Sequence, residues 1–126
     1  KILAFDFGLS RIGVAVSFGS LAEPLEIIPY NDNLWVTLNT VINQQQPQLL
    51  LVGVSERDMA EKSRAFGEQL AANFSLPVKF YDETLSSVEV HRRLHERDRG
   101  KQKYKGPIDH YAASLILQNY LDENYA

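Results

Sequence analysis

The sequence predicts an α/β protein in which a mixed β-sheet carries helices on its faces. Three observations lead there. Residues 2–7 and 11–17 are strand-like runs joined by a tight turn, and adjacent strands of this kind pair antiparallel. Residues 49–54 and 78–81 are apolar strands that alternate with stretches of helical periodicity, which is the rhythm of parallel pairing. The chain has 126 residues and is 44% hydrophobic, so one domain spanning residues 1–126 with a buried core is expected.

The elements follow in order. Residues 2–7 are apolar except for Asp6, and Gly8 opens the turn into 11–17, which is rich in Val, Ile and small residues. Residues 22–28 read as a third strand, and Pro24 and Pro29 suit an edge, where a missing N–H is tolerated. From Asp32 onward, Leu34, Trp35, Leu38, Val41 and Ile42 recur at helical spacing, closed by residues 44–47. Residues 49–54 are apolar throughout, as in a strand covered on both faces, and Met59, Phe66, Leu70 and Phe74 then mark a second helix. After the strand at 78–81, Ser86 and Glu89 form a capping-box pattern for a helix turning Val90 and Leu94 inward. Pro107 suits the first turn of a last helix whose Ala112, Ala113, Ile116 and Tyr120 share one face. Trp35 and the other helical aromatics read as core.

Composition narrows the chemistry. Cysteine is absent, which excludes disulfides, thiolate zinc sites and cysteine nucleophiles and is compatible with the cytoplasm. No apolar run approaches the roughly 18 residues of a membrane span, and no signal-like segment opens the chain, so no membrane partner is expected. Because the chain starts at Lys1 and enters a strand almost at once, residues preceding Lys1 are expected. The net charge of −3 argues against indiscriminate coating of nucleic acid. Yet residues 91–105 hold seven basic side chains against two acids, a local balance of +5 that leaves −8 for the remainder. Such segregation points to a cationic patch facing a polyanion, the plainer alternative being a solvated loop.

Three acidic positions stand out. Asp6 lies between Phe5 and Phe7 in a strand that otherwise reads as core, where an uncompensated carboxylate costs several kcal/mol. A salt bridge, the turn at Gly8 to Ser10, or a metal ion would each compensate it. Asp82 and Glu83 follow a short apolar strand, at the end where open α/β sheets place their chemistry. Consecutive extended residues point to opposite faces, so one enters a site while the other serves the loop or a helix cap; the residues alone do not choose. Asp109 shares the helical face of Ala112, Ala113 and Ile116, although a first-turn acid also gains from the helix dipole. If the three acids converge, their mutual repulsion opposes ionisation unless cations bind. All-oxygen ligation suits Mg²⁺ or Mn²⁺, and a pair of such ions can cleave a phosphodiester without a side-chain nucleophile, with Asp6 bridging from the central strand.

Taken together, FDFGLSRIGVAVS at 5–17, DETLSS at 82–87 and KGPIDHYAASLILQNYL at 105–121 resemble the YqgF family, also named RuvX. Its members are described as Holliday-junction resolvases or pre-16S ribosomal RNA nucleases of the ribonuclease H-like superfamily, and the resemblance spans nearly the whole chain. It implies a ribonuclease H-like fold and metal-binding catalytic roles for Asp6, Glu83 and Asp109. Two departures from the family pattern stand out. Thr84 stands where an Arg is usual, and Ser55, Glu56 and Arg57 replace a Pro followed by glycines, so the phosphate contact of that Arg comes from elsewhere or is missing.

Several signals carry less. His91 and His95 have zinc-like spacing, but Arg92 and Arg93 between them repel a cation and no third ligand is evident. His110 adjoins Asp109, yet a neighbouring helical residue points about 100° away. The opening motif also resembles the phosphate loop of actin-like ATPases, which need two such domains to clamp a nucleotide. The reading adopted is metal-dependent phosphodiester hydrolysis on structured RNA or branched DNA. Arg93, Arg97, Arg99, Lys101, Lys103 and Lys105 grip backbone phosphates, Arg11 adds a phosphate or structural contact, and Tyr104 stacks on a base or sugar. A monomer or weak homodimer is expected. The rival is a noncatalytic RNA-binding factor on the same scaffold.

Overall fold

A computed structural model describes residues 1–54, 58–82 and 108–125. They form strands β1 (Ile2–Phe7), β2 (Arg11–Phe18) and β3 (Leu21–Pro29), helix α1 (Leu34–Gln45), strand β4 (Leu49–Val54), helix α2 (Asp58–Phe74), strand β5 (Val78–Asp82) and helix α3 (Ile108–Tyr125). The sheet order is β3-β2-β1-β4-β5. Strand β1 is central, antiparallel to β2 and parallel to β4, while β4 and β5 are also parallel. The mixed sheet expected from the sequence is present. The capping-box helix at Ser86, the basic stretch and Pro107 lie outside the described residues.

Strand alternation sorts the core into two layers. On one face Leu3, Phe5, Val14, Val16, Leu50 and Val52 pack under Leu34, Leu38, Val41 and Ile42 of α1 and Phe66 and Leu70 of α2. On the other face Ile2, Ala4, Ala15 and Leu51 meet Ala113, Ile116, Leu117, Tyr120 and Leu121 of α3. The small Ala4, Ala15 and Ala113 let α3 approach the sheet closely. The buried stripe of α3 therefore runs through Ala113, Ile116, Leu117, Tyr120 and Leu121, and Ala112 stands half-buried at its margin. Because β4 contributes Leu50 and Val52 to one layer and Leu51 to the other, its continuous apolar run is explained by burial on both faces.

Local chemistry sets the ends of these elements. Strand β3 is an edge, as its prolines require, and a register shift between Val14 and Ala15 lets Pro24 enter at a bulge. The β2–β3 hairpin turns at Gly19, whose φ of +62° suits the glycine-first pattern of a II′ turn. Helices α1 and α2 end on the left-handed residues Gln46 and Ser75, whose N–H groups donate to the Ile42 and Ala71 carbonyls at 2.8 and 3.1 Å. Gly67, inside α2, lies directly against the Phe80 ring of β5, where a side chain would collide. The buried Ser17 hydroxyl accepts the Ile2 N–H at 2.8 Å, so it enters the core with its oxygen satisfied.

Candidate functional site

Asp6 is the next-to-last residue of β1, half-buried, on the face covered by α3. Its cross-strand partners are Gly13 of β2 and Gly53 of β4. Cross-strand partners project from the same face, so the carboxylate rises from a row with no side chain on either neighbouring strand. Ile27, opposite Gly13, and Tyr81, opposite Gly53, bound that row. Asp6 is thus the one side chain in that row across the three central strands. These two glycines were not singled out from the sequence. An isolated glycine within a strand does signal close backbone approach, and that signal was present.

The turn after β1 is set by Gly8. A Cβ at Gly8 would stand 2.6 Å from the Arg11 carbonyl oxygen, so the chain reverses this tightly only without a side chain. The Tyr30 N–H donates to the Ser10 carbonyl at 2.9 Å and ties the turn to the end of β3. Arg11 opens β2 opposite Pro29 and is exposed on this same end of the sheet.

Helix α3 is anchored at the opposite end of the sheet. Gln118 accepts the Ala22 N–H at 2.9 Å and donates to the Ser20 carbonyl at 3.0 Å, clasping the β2–β3 hairpin. Ala22 shares a row with Ser17, which receives the Ile2 N–H. The nine residues from Gln118 back to Asp109 span ~13.5 Å of helix, and the four from Ile2 to Asp6 span ~13 Å of strand. Asp109 thus lies in the first turn of the helix that covers the face carrying Asp6, and further along the same helix Glu123 accepts the hydroxyl of Tyr81, a residue in the Asp6 row, at 2.6 Å.

Asp82 behaves differently. Paired with Val54, it alternates with Tyr81, so it belongs to the α2 side of the sheet, opposite Asp6. Glu83, Arg93, Arg97, Arg99, Lys101, Lys103, Tyr104 and Lys105 lie outside the described residues, as do His91, His95 and Thr84; Asp109 is described only through its helical backbone. Among the described residues no three acidic or histidine side chains cluster as metal ligands. No helix among them is long and apolar enough to cross a membrane.

A mixed five-stranded sheet with helices on both faces and an acid near the end of its central strand defines the ribonuclease H-like class. The likeness to solved structures agrees: Thermus thermophilus RuvC in complex with a Holliday junction superposes with a TM-score of 0.71 at 14% identity, over 99% of this chain and 96% of that one. A second Thermus thermophilus RuvC structure gives 0.58 at 15% identity, over 97% and 94%. The more particular identity comes from sequence. The family model RuvX, described as Holliday junction resolvase, matches residues 1–123, and the chain belongs to that family. It is 34% identical over 135 residues to a protein of Aeromonas hydrophila named "Putative pre-16S rRNA nuclease", across 99% of this chain and 96% of the relative. Relatives of the same name from Legionella pneumophila and Lacticaseibacillus casei are 39% and 38% identical, across 97% of this chain and 95% and 94% of theirs.

Proposed function

We propose that this protein is a nuclease that hydrolyses phosphodiester bonds of structured nucleic acid with divalent metal held by Asp6, Glu83 and Asp109. The observation that carries the proposal is the position of Asp6, a carboxylate on the central strand flanked in register by two glycines. Family membership and the names of the relatives support the same activity. Asp82 stands on the opposite face of the sheet from Asp6, which favours Glu83 as the acid of that pair to join it. Asp109 stands in the first turn of α3, the helix that packs on the face carrying Asp6, which favours it as the third member.

The donor chemistry fits Mg²⁺ or Mn²⁺: every candidate ligand is a carboxylate, and the residues beside Asp6 on both neighbouring strands are glycines rather than apolar side chains. Such ions, when bound, would supply Lewis-acid stabilisation of the charge developing on the phosphate and the leaving oxygen. The chain's own residues do the rest. Asp6, Glu83 and Asp109 would hold the ions, whose positive charge would offset the repulsion among three carboxylates brought to one site. The bare floor at Gly13 and Gly53 admits the phosphate group. Arg93, Arg97, Arg99, Lys101, Lys103 and Lys105 grip flanking phosphates as point or fork donors, Tyr104 stacks on a base, and Arg11 meets the strand at the turn. Action in the cytoplasm on precursor ribosomal RNA or on branched DNA is part of this proposal. So is a single-domain monomer or weak dimer.

The test sets a four-way DNA junction and a precursor 16S RNA fragment side by side in Mg²⁺ and in Mn²⁺. Asp6→Asn is expected to abolish cleavage of whichever substrate the parent cuts while leaving binding intact. Cleavage by Asp6→Asn at the parental rate would reject the assignment. Melting temperature provides a second readout: metal at 100 times its Kd stabilises the folded parent by about 2.7 kcal/mol and should leave Asp6→Asn nearly unmoved.

A further inference from the structure

We infer that the cavity on the other side of the β1–β2 turn receives an unstacked base of the substrate, with Leu9 as the wedge that separates it from its neighbour. This rests on the nuclease reading above. The cavity, of about 350 Å³, is framed by Phe7, Leu9, Tyr30, Phe66, Lys62 and Gln69. Phe7 stands edge-on to Tyr30 at 5.7 Å and 82°, and lies tilted on Phe66 at 5.1 Å. Phe7 and Tyr30 thus make an aromatic corner over the buried Phe66, and the corner is not sealed: Tyr30 is 49% exposed and Leu9 is 60% exposed. Apolar side chains this open at the lip of a cavity are surface held ready for a flat partner rather than core.

Shape and chemistry select the occupant. Leu9 stands between this cavity and a second one of about 330 Å³ lined by Gly8, Ser10, Arg11 and Met59. An aliphatic ridge between two hollows matches the side chains that enter between adjacent bases and unstack them. A base has a π-face that stacks on Tyr or Phe whatever its sequence. Gln69 brings an amide that both donates and accepts toward a base edge, and Lys62 brings a cation for the attached phosphate. The volume sits at the small end of ligand sites, which suits one base and not a helix or a lipid. Position completes the argument. Phe7 follows Asp6 in the chain, so their Cα atoms lie ~3.8 Å apart on opposite faces of one strand end. On this inference a strand whose phosphate meets Asp6 passes over the Gly8–Ser10 turn, and the first base beyond it meets Leu9. Phosphate grip by basic side chains needs no such feature; the cavity gives this end of the sheet a role in choosing loosely stacked or branched substrate.

The experiment uses the Asp6→Asn protein, so that binding is read without cleavage. Four-way junctions and single strands of RNA and DNA carry 2-aminopurine at one position at a time, and emission is followed on addition of protein. Emission is expected to change strongly at one position, and Leu9→Ser and Tyr30→Ala should each remove that change and weaken binding about 10-fold. Tyr30→Phe keeps the ring and should behave as the parent. An abasic nucleotide at the responsive position should make Leu9→Ser and the parent bind alike. No responsive position, or parental emission and affinity in both Leu9→Ser and Tyr30→Ala, overturns the inference. Leu9 is exposed, so Leu9→Ser tests the wedge without disturbing the core. Should the otherwise unaltered protein fail to cut, the nuclease reading falls, whereas the emission scan judges the cavity by itself.

Discussion

Replacing Gly8 by Ala probes the turn that separates Asp6 from the aromatic cavity. The added Cβ would lie 2.6 Å from the Arg11 carbonyl oxygen. An unstrained carbon–oxygen contact needs about 3.3 Å, so the turn must open by about 0.7 Å. The oxygen belongs to backbone in the β2–β3 ladder, not to a flexible side chain, and the Tyr30 to Ser10 bond of 2.9 Å braces the same turn. Opening it combines strain with the weakening of one hydrogen bond, about 2–3 kcal/mol in all. Lower chain entropy in the unfolded state returns about 0.4–1 kcal/mol, leaving a net loss of about 1–2.5 kcal/mol. At ~2.1 cal/mol/K of unfolding entropy per residue, that lowers the melting temperature by about 4–9 °C. Because a shift of this size beside a reacting group can cost ~100-fold in rate, kcat should fall by one to two orders of magnitude while KM changes little. Gly19→Ala is the control. Its φ of +62° makes Ala strained by about 1–2 kcal/mol, but no atom lies within 4 Å and the hairpin is remote from Asp6, so activity per folded molecule should be parental. Calorimetry and single-turnover cleavage read both. A Gly8→Ala protein that melts with the parent, or cuts as fast, would refute the close-approach argument.

Further outcomes follow from the same geometry. Glu83→Gln and Asp109→Asn should lose both cleavage and metal-dependent thermal stabilisation, whereas Asp82→Asn should retain them; the reverse pattern would move the site to the other face of the sheet. Phe5→Ala removes a fully buried ring that stands edge-on to Phe66 at 5.9 Å and should destabilise by about 3–5 kcal/mol in urea titration; a loss under 1 kcal/mol would contradict the central position of that ring. Gln118→Ala releases the Ser20 carbonyl and Ala22 N–H, so Ala22 amide exchange should quicken with about 1 kcal/mol lost; unchanged exchange would show that the clasp does not hold the hairpin.

The elements were readable because periodicity is local. Helix spacing at Leu34, Leu38, Val41 and Ile42, the all-apolar 49–54 run and the edge-strand prolines Pro24 and Pro29 each depend only on near neighbours, and the structure realises all three. The oddity of Asp6 was equally plain, since a carboxylate within an apolar strand needs no fold to look misplaced. Its two glycine partners were hidden, because pairing Asp6 with Gly13 and Gly53 depends on sheet register across strands seven and forty-seven residues away. The family resemblance preferred Glu83 to Asp82, and only strand alternation in the sheet supplied a physical ground for it, by assigning Asp82 to the α2 face. The same is true of the aromatic corner: Phe7, Tyr30 and Phe66 lie far apart in the chain, and nothing short of their packing brings the three rings together. Sequence by itself determined which segments form strands and helices and which charges are out of place. Tertiary structure alone decided which of those residues share a face, because burial and proximity are properties of the packed sheet rather than of any stretch of chain.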